Sequence, residues 1–176
     1  NGDAIQYVQS ESSEPDVWEN LTTGAYGYYN DDLSHQETYG NLYNWYTVDD
    51  DRRVCPEGWH VPTDDEWKEL EMALGMSQSE ADDTGWRGTN EGSKLAGNAE
   101  LWNDGSLESN AEFGTSGFTA LPSGYYSVEG FKHLGSTGYF WSGDQAFGQF
   151  LDAESERLIP IPSSKSTYYS IRCLKD

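Results

Sequence analysis

The chain has 176 residues, and its 31 Asp and Glu against 10 Lys and Arg give a formal net charge of −21 at neutral pH. That length suits a single domain, and a hydrophobic share of 35% with 14% aromatics marks a folded chain, not an acidic disordered tail. Nucleic-acid partners are excluded, because no Lys/Arg cluster exists beyond Arg52-Arg53; no apolar run approaches the roughly 18–20 residues that span a bilayer, so membrane insertion is excluded too and a soluble protein is expected.

The chain opens at Asn1 with no basic and apolar regions of a signal peptide, as expected of a processed chain or a piece of a larger protein. From Asn1 to about Asp32 the sequence is polar with scattered aromatics and reads as irregular or as short strands. The aromatic run Tyr39 to Val48 suits either a buried strand or a helical turn, since periodicity cannot type so short a segment. Cys55 and Cys173 either pair, closing a loop of almost the whole chain, or remain two buried thiols.

The clearest local signal is Pro62-Thr63-Asp64-Asp65-Glu66-Trp67, where Thr63 caps a helix, Glu66 completes a capping box and the aspartates favour the positive helix end. The helix is expected to reach about Leu74, stop at Gly75 and bury Trp67, Leu70 and Leu74 on one face. Ser77 with Glu80 opens a second short helix to Asp83. From Gly85 to Gly117, Gly, Asn, Ser and Trp punctuate a long ordered loop region. Short β-prone runs follow at Gly117–Leu121, Tyr139–Trp141 and Tyr168–Cys173, giving an α+β chain without internal repeats.

The segments Tyr39-Gly40-x-Leu42-Tyr43-Asn44-Trp45-Tyr46, Cys55-Pro56-x-Gly58-Trp59-His60-Val61-Pro62-Thr63-Asp64-x-Glu66-Trp67, Gly85-Trp86-Arg87-Gly88-Thr89 and Gly117-Phe118-x-Ala120-Leu121-Pro122-x-Gly124-Tyr125 stand in order along the chain. With Tyr139-Phe140-Trp141-Ser142 and the ending Ser170-Ile171-Arg172-Cys173-Leu174-Lys175-Asp176, they resemble the FISUMP family, also called the major paralogous domain. The resemblance runs from about Tyr39 to the end, which divides the chain into an N-terminal extension, 1–38, packed on or leading into the domain, and the domain itself, 39–176. It implies a C-type-lectin-like fold: short antiparallel strands and two helices supporting a long irregular loop region, with the last strands and turns forming an exposed ligand-binding face. The core implied by that reading includes Trp59, Trp67, Leu70, Phe118 and Leu121.

Two neighbours of that fold bear on function. The Pro62–Trp67 segment is similar to the helix start of formylglycine-generating oxidases, but Cys55 and Cys173 do not stand where a reactive cysteine pair with copper would. The variable proteins of diversity-generating retroelements display on this fold a C-terminal region altered at adenines, chiefly in Asn codons. Here Gly143–Tyr169 contains no Asn, and Phe147, Phe150, Asp152, Ser155, Arg157, Ile159, Ile161, Pro162, Ser163, Ser164, Thr167 and Tyr168 are all reachable from Asn through changes at the first two codon bases. An ordinary fixed loop is the alternative.

No catalytic constellation is present. His35, His60 and His133 are too dispersed for a metal-ligand spacing; His60 is expected to be a buried structural residue and His133 an exposed loop residue. Trp102-Asn103-Asp104 spells a calcium-lectin motif but lacks its partner triplet, and Asp49-Asp50-Asp51 and Asp82-Asp83 lack the spacing of a calcium loop. No cofactor is therefore expected, and calcium has no support. Asn20-Leu21-Thr22 is a glycosylation sequon by spelling.

What remains is a binding surface. Phe147, Phe150, Ile159, Ile161 and Tyr168 supply contact area, with Trp141 and about half of this apolar set alternatively in the core. Asp144, Gln145, Gln149, Asp152, Ser155, Arg157, Ser163, Ser164 and Thr167 offer polar contacts. The two prolines of Ile159-Pro160-Ile161-Pro162-Ser163-Ser164 predict an exposed loop. The expected function is a non-enzymatic, receptor- or adhesin-like domain of a secreted, cell-surface or virus-borne protein. Its partner would be a protein or glycan on another cell or particle; the alternatives are a fixed structural or carbohydrate-binding module, or an oxidase of the formylglycine-generating type.

Overall fold

The computed structural model describes residues 4–9, 18 and 20–176. Of the opening stretch read as irregular or as short strands, residues 1–3, 10–17 and 19 lie outside the described residues. Strand β1 (Gln6–Tyr7) runs parallel to β2 (Ala25–Gly27), which pairs antiparallel with β3 (Leu42–Asn44). Between them come a 3-10 turn at Tyr29–Asp31 and helix α1 (Leu33–Tyr39), capped by the Asp32 side chain on the Ser34 N–H.

The ambiguous run Tyr39–Val48 is both structures in succession: β3, then helix α2 (Trp45–Val48). Asn44 makes the switch. Its Oδ1 accepts from the N–H groups of Thr47 and Ala25, at 3.2 and 3.0 Å, and its Nδ2 donates to the Thr23 carbonyl at 2.9 Å. One buried amide thus caps a helix and stitches it to β2 with each hydrogen bond satisfied.

Strand β4 (Trp59–His60) precedes α3 (Asp64–Ala73) and α4 (Gln78–Ala81), and both helices carry the expected reciprocal capping boxes, Thr63 with Glu66 and Ser77 with Glu80. The following loop region is threaded by α5 (Glu91–Leu95), a 3-10 turn at Ala99–Leu101 and α6 (Ser106–Ser109). Of these α-helices only α1 and α3 exceed five residues. Strands β5 (Tyr125–Ser127) and β6 (Gly130–Lys132) form a hairpin, and β7 (Thr137–Trp141), β8 (Phe147–Asp152) and β9 (Ser155–Pro162) a meander. After β10 (Tyr168–Tyr169), β11 (Leu174–Lys175) ends the set.

Three sheets result: six strands in the order β1-β2-β3-β10-β5-β6, three in the order β7-β8-β9, and the pair β4-β11. The molecule is therefore mixed α+β. Segment 4–38 enters the same architecture through β1, β2 and Trp18, which is buried against Tyr126 and Tyr168. A second core gathers Trp67, Leu95, Trp102, Leu107, Phe140, Leu151 and Leu158, and a third Trp45, Tyr139, Trp141 and Tyr169. Cys55 and Cys173, left open between two readings, form a disulfide with Cα atoms 5.8 Å apart.

Four expectations need correction. Ile159–Pro162 is not a loop but part of β9, an edge strand. On its outer edge Leu158 exchanges backbone hydrogen bonds with Arg87, whereas the Ser163 N–H points inward to the Ala146 carbonyl. Even-numbered positions therefore face outward, where the N–H groups that Pro160 and Pro162 lack are not needed. Gly117–Leu121 is not a strand: Gly117 and Thr119 have φ of +73° and +57°, and only Ala120 bridges, to Ala96. Trp59 is 39% exposed instead of core, because β4 sits in a two-stranded ribbon with one open side. Leu70 and Leu74 are only half-buried, and it is Glu71 that lies fully buried beside Trp67 on α3.

Candidate functional site

Alternation along the β7-β8-β9 meander puts Tyr139, Phe150 and Ile159 in one row across the sheet, and Trp141, Gly148 and Ile161 in the next row of the same face. Phe150 stacks on Tyr139 at 4.6 Å and 20°, and Tyr139 on Tyr169 at 4.7 Å and 11°. Tyr169 closes on Trp141 at 4.4 Å. Gly148 makes this possible, since a Cβ there would stand 2.8 Å from the Tyr169 ring. At the outer end Trp86, 37% exposed, lies 5.5 Å from Phe150. A continuous aromatic row thus runs from buried Trp141 to half-exposed Trp86, flanked by half-buried Ile159 and Ile161.

Two positions predicted on this face are withdrawn. Tyr168 is wholly buried, because β10 is an interior strand of the six-stranded sheet and packs the ring between Trp18 and Tyr126. Gln149 is buried on the opposite side of β8, and its Oε1 has no hydrogen-bond partner. Phe147 shares that opposite side and is half-buried.

The structure brings Phe150, Asp152, Ile159 and Ile161 together on the aromatic face. Asp152 accepts from the Glu154 N–H and Ser155 Oγ from the Arg157 N–H, so both shape the β8–β9 turn, beside exposed Arg157. The remaining polar positions lie elsewhere: the Gln145 carbonyl accepts from Trp45 Nε1 at 3.0 Å, beside Lys165, whose Nζ lies 4.2 Å over the same ring. Ser163 Oγ meets the Tyr169 hydroxyl at 2.9 Å, Ser164 is exposed and Thr167 half-buried. Asp144 accepts from Ser142 Oγ and from the Asp64 N–H at the start of α3, and these bonds outweigh its desolvation to hold its carboxyl below the usual range.

Trp86, Tyr139 and Tyr169 escaped the sequence reading. Trp86 is positioned by its neighbour Arg87, whose backbone pairs with Leu158 and whose guanidinium is buried against Glu71 at 2.8 Å. The one signal available for it was a large aromatic amid Gly-rich turns, which fits core and surface equally.

The histidines serve structure. His35 Nδ1 lies 3.0 Å from the Tyr29 carbonyl, and exposed His133 packs edge-on to Tyr125. His60 is hydrogen-bonded but, contrary to expectation, not buried: it stands between Asp176 at 2.6 Å and Glu66 at 2.8 Å, with a third of its side chain exposed. Hydrogen bonding to Asp176, then to Glu66, raises its pKa. Glu66 is held low despite desolvation, by the Thr63 N–H first and then by His60 and the Thr63 hydroxyl.

A raised His pKa contributes stability that is complete below the ordinary value near 6.5 and lost as pH rises through the folded one. The lowered Glu66 pKa contributes above 4.5 and is lost on acidification. The melting temperature of His60→Gln is therefore expected to lag the parent most between these values and to converge on it at alkaline pH. A gap unchanged from pH 5 to 9 would rule out this ionic link.

Among the described residues no three or more His, Cys, Asp or Glu side chains are grouped to hold a metal ion. Asn103, in the calcium-like triplet, donates its amide to Ser136 Oγ at 2.8 Å, while Trp102 is core. Neither cysteine is free. Among the described residues no helix is long and apolar enough to cross a membrane. The family model described as Fibrobacter succinogenes major domain matches residues 1–175. No curated protein and no solved structure matches the chain.

Proposed function

The chain belongs to the Fibrobacter succinogenes major domain family, and from this membership and the β7-β8-β9 face we propose that it is a non-enzymatic recognition domain with a C-type-lectin-like architecture. The observation that carries the reading is the aromatic row Trp86–Phe150–Tyr139–Tyr169, stacked from a buried end to an exposed one and bordered by Ile159 and Ile161. Rigid, half-exposed aromatics beside aliphatic side chains give contact area at low entropic cost, which is how protein and glycan partners are held. The partner is a protein or glycan on another cell or particle. The Cys55–Cys173 disulfide supports an oxidising, extracytoplasmic setting, secreted or at a surface.

Arrays of glycans and of surface proteins, probed with the whole chain, test this reading. Trp86→Ala and Ile159→Ala are expected to weaken the captured interaction by about tenfold or more, the scale of a central contact, with little change in melting temperature. Binding unaltered in both variants would remove the face from the reading.

Phe150, Asp152, Ile159 and Ile161, all reachable from Asn codons through changes at the first two bases, share this face, which supports its diversification by a retroelement. An adenine-rich near-copy of the segment encoding 143–169 beside a reverse transcriptase is the expected genomic companion. Its absence would leave a fixed recognition surface.

A further inference from the structure

Arg172 lies between two clefts on the side of the molecule where α3 meets the Gly117–Thr119 turn. One cleft, of about 300 Å3, is lined by Pro62, Trp67, Leu70, Phe118 and Leu174 together with Glu66 and Arg172. The other, of about 260 Å3, is lined by Tyr39, Asn41, Tyr43, Thr119 and again Arg172. The guanidinium lies 4.6 Å from the centre of the Phe118 ring and donates to the Phe118 carbonyl. Among the described residues no carboxylate pairs with it.

A half-buried cation without a counter-ion is unexpected in a chain carrying 31 acidic residues. Desolvation already pulls its pKa downward, so its charge is held at a cost that an incoming anion would offset. Two further features mark the same place. Trp67 is 2% exposed, yet its Nε1 has no acceptor, a donor left unsatisfied beside the cleft that its ring lines. Thr119, a β-branched residue that lines the neighbouring cleft with Arg172, is held at φ +57°, a conformation that costs energy and gathers at ligand sites. The other charged group in the cleft, Glu66, is engaged by Thr63 and His60.

We propose that this cleft binds a small organic monocarboxylate, its apolar body between Trp67, Leu70, Phe118 and Leu174 and its carboxylate on Arg172. The site is separate from the β7-β8-β9 face, so either reading can fail without the other. Charge-assisted pairing with a planar guanidinium supplies the orientation, and the four apolar side chains select for an uncharged aryl or alkyl body.

The probe is 3-phenylpropionate, titrated into the 15N-labelled chain while the seven indole N–H signals are followed; Trp67→Phe identifies the Trp67 signal. A saturable shift of that signal is expected. The isosteric alcohol, 3-phenylpropan-1-ol, is expected to bind about tenfold more weakly or worse for want of the charged pair. Arg172→Gln is expected to weaken the acid to the level of the alcohol. Leu70→Phe narrows the cleft without touching Arg172 and is expected to abolish the shift, which keeps the test decisive if Arg172→Gln does not fold. No Trp67 shift up to ~20 mM acid, the range of weak small-molecule sites, or equal binding of acid and alcohol, would overturn the proposal. Undiminished binding in Leu70→Phe would overturn it as well.

Discussion

Replacing Arg87 by Met is expected to lower the unfolding free energy by about 3–5 kcal/mol, the scale of a buried ion pair that loses one partner. The guanidinium is buried together with Glu71, which it meets at 2.8 Å, and its other terminal nitrogen donates to the carbonyls of Ala81 and Asp83 at 2.7 and 3.1 Å. One side chain thus neutralises an acid inside α3 and caps the end of α4, so removing it strands a buried carboxylate and the buried Ala81 carbonyl, and takes a donor from the part-buried Asp83 carbonyl. Burial pushes the Glu71 pKa above 4.5, and the hydrogen bond and charge of Arg87 pull part of that back.

Without Arg87 the Glu71 pKa should rise further. An acid with a raised folded pKa binds more protons folded than unfolded, so the variant regains stability as pH falls through that value. The gap to the parent is expected to narrow from pH 7 toward pH 5, read as urea midpoints at each pH. Adding Glu71→Leu should recover part of the loss at neutral pH, because Glu71 Oε2 and Arg87 Nε are unpaired even in the intact pair. The recovery stays partial, as the carbonyls of α4 remain open. A loss below about 1 kcal/mol would mean that water reaches the pair and that its burial is not maintained in solution.

Local chemistry was legible in the sequence; long-range placement was not. Thr63 with Glu66 and Ser77 with Glu80 announce α3 and α4, because each capping box is closed by residues three apart and needs nothing else in the molecule. Phe150 and Ile161 share one face of the β7-β8-β9 sheet, yet that face depends on Trp86, 64 residues upstream of Phe150, and on Tyr169 from a different sheet. Pro160 and Pro162 misled because a proline disfavours a strand only where its missing N–H is wanted. Which edge of β9 that is follows from Arg87 and β8, neither visible locally. Tyr168 misled for the converse reason, since a lone Tyr-Tyr run carries no mark that it is an interior strand. Glu71 gave no signal, as its buried partner stands 16 residues away across a turn.

Removing the Cys55–Cys173 bond, as the Cys55→Ala/Cys173→Ala double variant, is expected to cost up to about 5 kcal/mol, since a loop of this size costs the unfolded chain about that much closure entropy. The two cysteines are 118 residues apart, and between them lie seven of the eleven strands among the described residues, including all of the β7-β8-β9 face. What else holds the last strand is slight: two residue pairs, Leu174 with His60 and Lys175 with Trp59, the Asp176 N–H on the Gly58 carbonyl, and the His60–Asp176 contact. Reducing the parent chain should reproduce the urea midpoint of the double variant, because both release the same loop. The aromatic face should keep its indole signals at Trp86 and Trp141 in either case, its packing being made by β7, β8, β9, β10 and Trp86, none of which contains a cysteine. A loss confined to signals near Trp59 and Trp67, with the midpoint shifted by less than about 1 kcal/mol, would instead place the effect in local fraying of β11. The bond would then act on the cleft that Cys173 helps to line, leaving the stability of the whole fold to its three cores.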